Sequence, residues 1–358
     1  MQFLKSTESK DFAPIELSKV TNQENKSQTN SLDLVFHSRS WSIHRLIVTV
    51  TLNPSVDRTL FVDDLRLGSV NRVDLRAVDP GGKGVNVSRA VKAFGKDTHA
   101  ILVCGSFGSR WFADRLSELR IPHNILLATG ITRNNVTLVE SDGTVTKINE
   151  PGFELTNAIM AEVKSSLSDL DLKNSWVVFA GRLNPRAEAT TYRELATYVR
   201  NLGAKVAIDA SGPELKSAIE MAPDLIKPNH HELAELVGRP LNTIDAVISA
   251  ANELINSGIG SILCSLGADG ALFVNKNEII HVEPEEKVVG VPVGAGDILL
   301  ATFIAGGANS DALSAAVSWS AASVPLEGTA IPTPDQAASI KVKINSEIEQ
   351  NRSLMEMS

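Results

Sequence analysis

Cysteine is nearly absent: Cys104 and Cys264 are the only two in 358 residues, each inside an apolar run. Two such thiols cannot make a disulfide framework, so the composition excludes the small scaffolds that depend on one and points to a reducing compartment, the cytoplasm. No apolar run approaches the roughly 20 residues a membrane span needs. The first residues carry Lys5, Glu8, Lys10 and Asp11 where a secretory signal would be apolar. An excess of positive charge is missing as well: the net charge of -8 disfavours the phosphate backbone of nucleic acid, so neither nucleic acid nor membrane is an expected partner. No internal repeat and no low-complexity segment interrupts the main part of the chain. What is present, 43% apolar and 21% charged residues, is enough to bury one large core.

Residues 1–45 are rich in Ser, Thr, Asn, Gln and Lys without a sustained period, and are expected to be a disordered extension, with one domain over 46–350 and a short tail over 351–358. Leu46 to Leu52 is a β-branched run closed by Asn53-Pro54, as a buried first strand would be. Two pairs of short alternating segments follow, within about 57–80 and 132–150, the second folded at Asp142-Gly143. Their pattern predicts a small, half-exposed sheet that covers a site. From residue 156 helices and strands alternate regularly: helix 158–170, strand 176–179, helix 187–202, strand 205–209, then strands at 225–226 and 261–264 with helices between. A final helix is expected from Pro334 onward. This alternation predicts an α/β fold with a mostly parallel sheet covered on both faces and ligands at the carboxyl ends of its strands. Asn53, Gly181, Asp209, Asn229 and Ser265 stand at such ends.

Two glycine-rich turns run into helices. In Gly290-Val-Pro-Val-Gly-Ala-Gly-Asp297, followed by an apolar helical stretch, the turn offers free backbone N–H groups at the positive end of a helix, an arrangement that holds phosphate. A carboxylate beside such a cradle repels phosphate, so Asp297 reads either as a base that takes a proton from an attacking hydroxyl or as a helix cap. Pro80-Gly-Gly-Lys-Gly-Val-Asn86 is the second turn, with Lys83 as a point charge for phosphate or, more plainly, as part of a helix start. It is not a Walker A loop, because Ala77 and Gly84 stand where Gly and Ser or Thr are required. Val87 likewise breaks the dinucleotide pattern and with it an oxidoreductase reading. Arg133 and Lys147 lie on the small sheet, where cations are either solvated edge charges or ligands for an anion. Asn229 and Glu232, three apart at a helix start, could hold a hydrated Mg²⁺ or form a capping box. His230 and His231 are expected on the surface. Ser265-Leu-Gly-Ala-Asp-Gly270 is a loop suited to packing backbone against a base or ribose, or a plain turn.

Taken in order, Pro80 to Asn86, Asn229-x-x-Glu232, Ser265 to Gly270 and Gly294 to Asp297 resemble the signatures of the PfkB (ribokinase) carbohydrate kinase family. The resemblance runs from about Leu46 to the last helix. Thr51 to Asp57, Thr146 to Gly152 and the stretch from Ser318 to Pro334 are most similar to the 1-phosphofructokinase branch, with tagatose-6-phosphate kinases next. It implies a ribokinase-like three-layer core with a β-sheet lid, pairing of lids in a homodimer, and ATP with Mg²⁺ as phosphoryl donor to fructose 1-phosphate. Carried to this chain, it makes Asp297 the base and the backbone of Gly294, Ala295 and Gly296 the anion hole. Asp57, Gly82 and Asn86 would hold sugar hydroxyls, and Lys83, Arg133 and Lys147 the existing phosphate. Lys227, Asn229, Ser265, Leu266, Gly267, Ala268, Asp269 and Gly270 would line the nucleotide side, together with Gly296 and Asp297, and Glu232 with Asn229 the metal. Three positions depart from the family pattern: Ile298 replaces a hydroxyl residue, Pro292 a Thr, and Gly181-Arg-Leu-Asn-Pro-Arg186 brings Arg182 to a place where a small residue is expected. Kinases for tagatose 6-phosphate or fructose 6-phosphate, and a non-catalytic sugar-phosphate sensor on the same fold, are the competing readings.

Overall fold

The computed structural model describes residues 46–184, 186–291, 293–345, 348–349 and 351–354. The stretch 1–45, expected to be disordered, lies outside them, as does Pro292. The first strand, β1 (Ile47–Thr51), is buried at every position. Its side chains divide with the strand period of two, Val48 and Val50 joining one core cluster and Ile47 the other. The chain continues through β2 (Ser55–Val62), β3 (Asp74–Gly81), α1 (Lys83–Ala93), β4 (Thr98–Phe107), α2 (Ser109–Glu118), β5 (His123–Ile131), β6 (Arg133–Glu140) and β7 (Val145–Asn149). Then follow α3 (Asn157–Ser168), β8 (Trp176–Ala180), α4 (Thr191–Asn201), β9 (Lys205–Asp209), α5 (Gly212–Ala218), β10 (Leu225–Ile226), α6 (His230–Val237), α7 (Ile244–Asn256) and β11 (Ser261–Ser265). The last elements are β12 (Ala271–Asn275), β13 (Ile279–Pro284), α8 (Ala295–Ala305), α9 (Ser310–Ser323), α10 (Pro334–Ser339) and β14 (Val342–Asn345).

Ten strands form the main sheet in the order β14-β13-β12-β11-β10-β9-β8-β1-β4-β5, parallel from β11 to β5 and antiparallel beyond. One face is covered by α3 to α7 through residues such as Val163, Leu195, Leu233 and Val247. The other is covered by α1, α8 and α9 through Val91, Phe303 and Val317. After β1 the chain builds outward to β4 and β5 on one side and to β8 through β11 on the other. The carboxyl end of β1 is therefore the point where strand order reverses, the place an open α/β sheet offers to ligands. The expected small sheet sits on the segments that leave this point: four strands ordered β3-β2-β6-β7, with β2 and β6 parallel. Fold and lid thus match expectation. Among the described residues no helix is long and apolar enough to cross a membrane.

The final helix begins at Pro334 as expected; it ends at Ser339, where Ile340 turns extended, and the chain adds β14 as an edge strand. Residues 351–354, within the expected C-terminal tail, are tied to the start of α7: Ile244 N donates to Arg352 O and Leu354 N to Asn242 O.

Candidate active site

Asp297 is the third residue of α8, whose first turn opens on Gly294 at φ 77, a left-handed conformation that glycine adopts without cost. The helix caps itself by backbone, Asp297 N and Ile298 N donating to Gly294 O, which leaves the N–H groups of Ala295 and Gly296 ahead of the first intrahelical bonds. Among the described residues the Asp297 carboxylate makes no capping bond. Its Oδ2 accepts from Asn86 Nδ2 of α1 at 2.9 Å, while Arg89 Nη1 donates to Asn86 Oδ1 and so fixes which way that amide points. Asn86, expected to meet sugar hydroxyls, is almost wholly buried, and its amide holds the Asp297 carboxylate. Burial first, and then the neighbouring Asp209, push the Asp297 carboxyl up to about 7. Lys83, Asn86 and Lys227 pull the other way.

Asp209 is the residue that sequence reasoning placed at a strand end but left without a role. At the carboxyl end of β9 and 0% exposed, it joins two lysines from opposite sides: Lys83 Nζ lies 2.8 Å from Oδ1 and Lys227 Nζ 3.5 Å from Oδ2. Lys83 also reaches Glu232 Oε1 at 4.0 Å. Burial alone would lower the Lys83 pKa, but Asp209, Asp297 and Glu232 outweigh it and hold the ammonium above the ordinary lysine range. Lys227 is 4% exposed and aims at the start of α8, where a Cβ on Gly296 would stand 3.2 Å from its Nζ. The result is a row of charges, lysine, aspartate, lysine, with Asp209 and Lys227 buried and Lys83 partly exposed, laid beside a helix N-terminus and a carboxylate with a raised pKa.

Asn229 and Glu232 form a reciprocal capping box on α6: Asn229 Oδ1 accepts from Glu232 N at 2.8 Å and Glu232 Oε2 from Asn229 N at 2.9 Å. Among the described residues no cluster of three or more His, Cys, Asp or Glu could enclose a metal ion. What remains toward the site is Glu232 Oε1. One such oxygen suits Mg²⁺, which keeps most of its waters and leans on substrate phosphates. Ser265 bridges to Asn229, bringing together the two segments expected on the nucleotide side. In the turn that follows, Gly267 and Ala268 are exposed, whereas the Leu266 and Asp269 side chains point inward and can offer a ligand only backbone. His230 and His231, expected on the surface, stack with ring centroids 3.9 Å apart, and His230 is buried.

On the lid side, Asp57 accepts from Ser55 Oγ at 2.6 Å and Asn135 Nδ2 at 3.2 Å. It presses against Gly81, where a Cβ would lie 2.2 Å from its carboxylate. Gly82, at φ 107, lets the chain turn into α1 close to Thr51 and Pro54. Arg133 donates from Nε to Asn53 O at 3.2 Å and from Nη1 to Glu150 O, which holds it at the mouth. Burial lowers its pKa, opposed by Asp57 and reinforced by the like charge of Arg182. Lys147 is exposed on the edge strand β7 and touches none of these groups, although register puts it on the same lid face as Asp57. Ile298 is buried in the core beneath α8, so the missing hydroxyl at that position opens no gap in the site.

Comparison with known proteins agrees with this geometry. The family model for pfkB family carbohydrate kinases matches residues 45–336. The chain is 36% identical over 263 residues to 1-phosphofructokinase of Rhodobacter capsulatus, covering 72% of this chain and 82% of that protein. It is 35% identical over 265 residues to 1-phosphofructokinase of Bacillus subtilis, covering 73% and 85%. The crystal structure of phosphofructokinase-2 from Escherichia coli in complex with potassium superposes with a TM-score of 0.78 at 28% identity, over 83% of this chain and 98% of that one. From the charge row beneath the α8 N-terminus to the lid over the switch point, the chain belongs to the pfkB family of carbohydrate kinases and is a sugar-phosphate kinase.

Proposed function

We propose that the protein transfers the γ-phosphoryl group of ATP, with Mg²⁺, to the 6-hydroxyl of fructose 1-phosphate, giving fructose 1,6-bisphosphate. The observation that carries this reading is Asp297, a buried carboxylate whose pKa is raised to about 7 at the N-terminus of α8. A base with that pKa is half ionised at neutral pH and accepts the proton of an attacking hydroxyl with little mismatch. The N–H groups of Ala295 and Gly296 face the transferred phosphoryl group, and Lys227 beside them offsets the charge that spreads over its oxygens. Lys83 and Arg133 stand on the sugar side and hold the phosphate already present, while Asp57 and Gly82 receive sugar hydroxyls. Backbone of Ser265 to Gly270 carries the nucleotide. Glu232 with Asn229 would hold Mg²⁺, which would supply charge neutralisation for the donor phosphates. The choice of fructose 1-phosphate rests on the names of the relatives at about 35% identity.

A coupled assay of ADP release tests the assignment. Fructose 1-phosphate should give the highest kcat/KM among fructose 1-phosphate, tagatose 6-phosphate and fructose 6-phosphate. Faster turnover of either of the others would move the substrate within the family. Calorimetric binding of the sugar phosphate without any turnover would replace the enzyme by a sensor.

A further inference from the structure

Arg89 lies one turn beyond Asn86 on the same face of α1 and takes no part in the phosphate or nucleotide contacts assigned above. Its side chain is 10% exposed and gathers three partners. Nη1 donates to Asn86 Oδ1 at 3.3 Å and to Thr329 Oγ1 at 3.0 Å, and Nη2 lies 3.5 Å from Asp79 Oδ1 on lid strand β3. Thr329 is buried, and the residue before it, Gly328 at φ +60, packs on the same carboxylate: a Cβ there would stand 3.1 Å from Asp79 Oδ2. Register sets Asp79 directly across from Asp57 of β2, two like charges on one lid face. Arg89 offsets both, Arg133 offsets Asp57 as well, and Arg115 of α2 is the like charge that faces Arg89.

A guanidinium carries donors only, so the amide oxygen of Asn86 must face Arg89 and its NH₂ group must face Asp297. Among the described residues Arg89 is the sole partner of that oxygen. An NH₂ group serves an accepting carboxylate oxygen, so this orientation favours the form of Asp297 that can take a proton. Without Arg89 the amide is free to turn. Its oxygen then meets the carboxyl group, an arrangement that only the protonated acid satisfies. The charged groups that face Asp297 directly are Asp209 from β9, Lys83 from α1 and Lys227 after β10. Arg89 reaches it through the amide.

We propose that Arg89 is a positioning residue for the base: its guanidinium fixes the Asn86 amide that meets Asp297 and is itself anchored to lid strand β3 by Asp79, so that the base is set from the lid. This rests on reading Asp297 as the base.

The test uses the full chain with Arg89→Met, Arg89→Lys and Asp79→Ala, and reads the acidic limb of kcat/KM. Arg89→Met should move the limb up by about one pH unit, the scale of one lost hydrogen bond to a buried carboxylate; activity at pH 7 then falls about fivefold and recovers toward the parent in alkaline buffer. Arg89→Lys should move it up by less, because an ammonium keeps the charge but cannot span three partners. Asp79→Ala gives the sharper sign. By charge alone, loss of this carboxylate would lower the pKa of a nearby acid, whereas a loosened amide raises it. The Ala variant should therefore move the limb up. A limb that stays or moves down in Asp79→Ala, or that matches the parent in Arg89→Lys, overturns the proposal. So does an activity loss that higher pH leaves unrecovered, the sign of general loosening. Should Arg89→Met not fold, the Lys and Ala variants decide. An enzyme that keeps its turnover as Asp297→Asn defeats the base reading and this inference together. Loss of turnover in that variant, with a limb indifferent to Arg89 and Asp79, defeats this inference alone.

Discussion

Asp297 is a carboxylate kept out of water beside a second carboxylate, and both conditions favour its protonated form. Capping cannot account for it, since its partner is Asn86, 211 residues away in sequence. Asp297→Asn should therefore fold and bind ATP, while turnover falls by about 10² to 10⁴, roughly 3 to 5 kcal/mol of barrier. Steady-state rates within threefold of the parent would remove Asp297 from the role of base. Its titration gives a second prediction. The active form is ionised, so kcat/KM should climb with pH through about 7 and level off above it. Asp209→Asn removes a negative neighbour that raises this pKa and leaves the cations of Lys83 and Lys227 nearby, so the acidic limb should move to lower pH. A limb that stays in place or moves up would show that Asp209 does not set the base. The stability sign follows from the same shift: the folded pKa of about 7 exceeds the ordinary 3.8, so the folded state holds the extra proton between those values and this group's contribution declines as pH rises through that window.

At the scale of elements, the lid is joined to the site by Gly81 at the end of β3, against which Asp57 of β2 packs. Gly81→Ala would drive a methyl group to within 2.2 Å of the Asp57 carboxylate, and Gly81 itself has no left-handed φ to complicate the exchange. The expected outcome is a raised KM for sugar phosphate, about tenfold for a displaced polar contact, with the KM for ATP unchanged. Equal rises in both constants would count against Asp57 as a sugar contact. The four lid strands were legible in the sequence because a half-exposed sheet alternates, and β1 and β8 because a doubly covered strand is continuously apolar. Other elements were not, for identifiable reasons. In β13, His281 and Glu283 break the apolar pattern, yet both are buried because Asn345, Arg352 and Lys343 satisfy them from later in the chain. Edge strand β14 is largely exposed and carries little pattern, and α5 has only seven residues. The capping box at Asn229 and Glu232 was legible as a spacing, but spacing could not tell a cap from a metal ligand. Asp209 stood alone without a motif, since the lysines that define it come from α1, 126 residues earlier, and from the segment after β10.

For the whole molecule, the polar stretch 1–45 precedes β1 and meets the family match only at residue 45, so its deletion should leave the melting temperature and turnover nearly unchanged; a fall of many degrees would contradict this. The lid leads to a stronger consequence. Strand register sorts its residues onto two faces: Asp57, Asn135, Thr137 and Lys147 share the polar one, and Leu60, Leu75, Val136 and Ile148 share the other. At the inner end of that second face Val56 packs on the core cluster around Val85 and Phe112. Farther out Leu138 and Val62 on the same face are buried as well, but on the outer strands Leu75 and Ile148 are 54% and 55% exposed. Exposed apolar side chains on the outer strands of one sheet face gain by being buried, and a second copy of the same lid offers matching chemistry under two-fold symmetry. We infer that the protein is a dimer through its lids. Light scattering after size exclusion should give twice the chain mass for the parent and the single-chain mass for Leu75→Asp combined with Ile148→Asp, since each charge would be buried unpaired at the contact. The monomeric variant should keep its melting transition, because neither residue joins a core cluster of the described chain. Its KM for sugar phosphate should rise as the lid loses support, while the KM for ATP, set beneath the other end of the sheet, should hold. A parent that elutes as a monomer, or a double variant that remains dimeric, would refute pairing through this face.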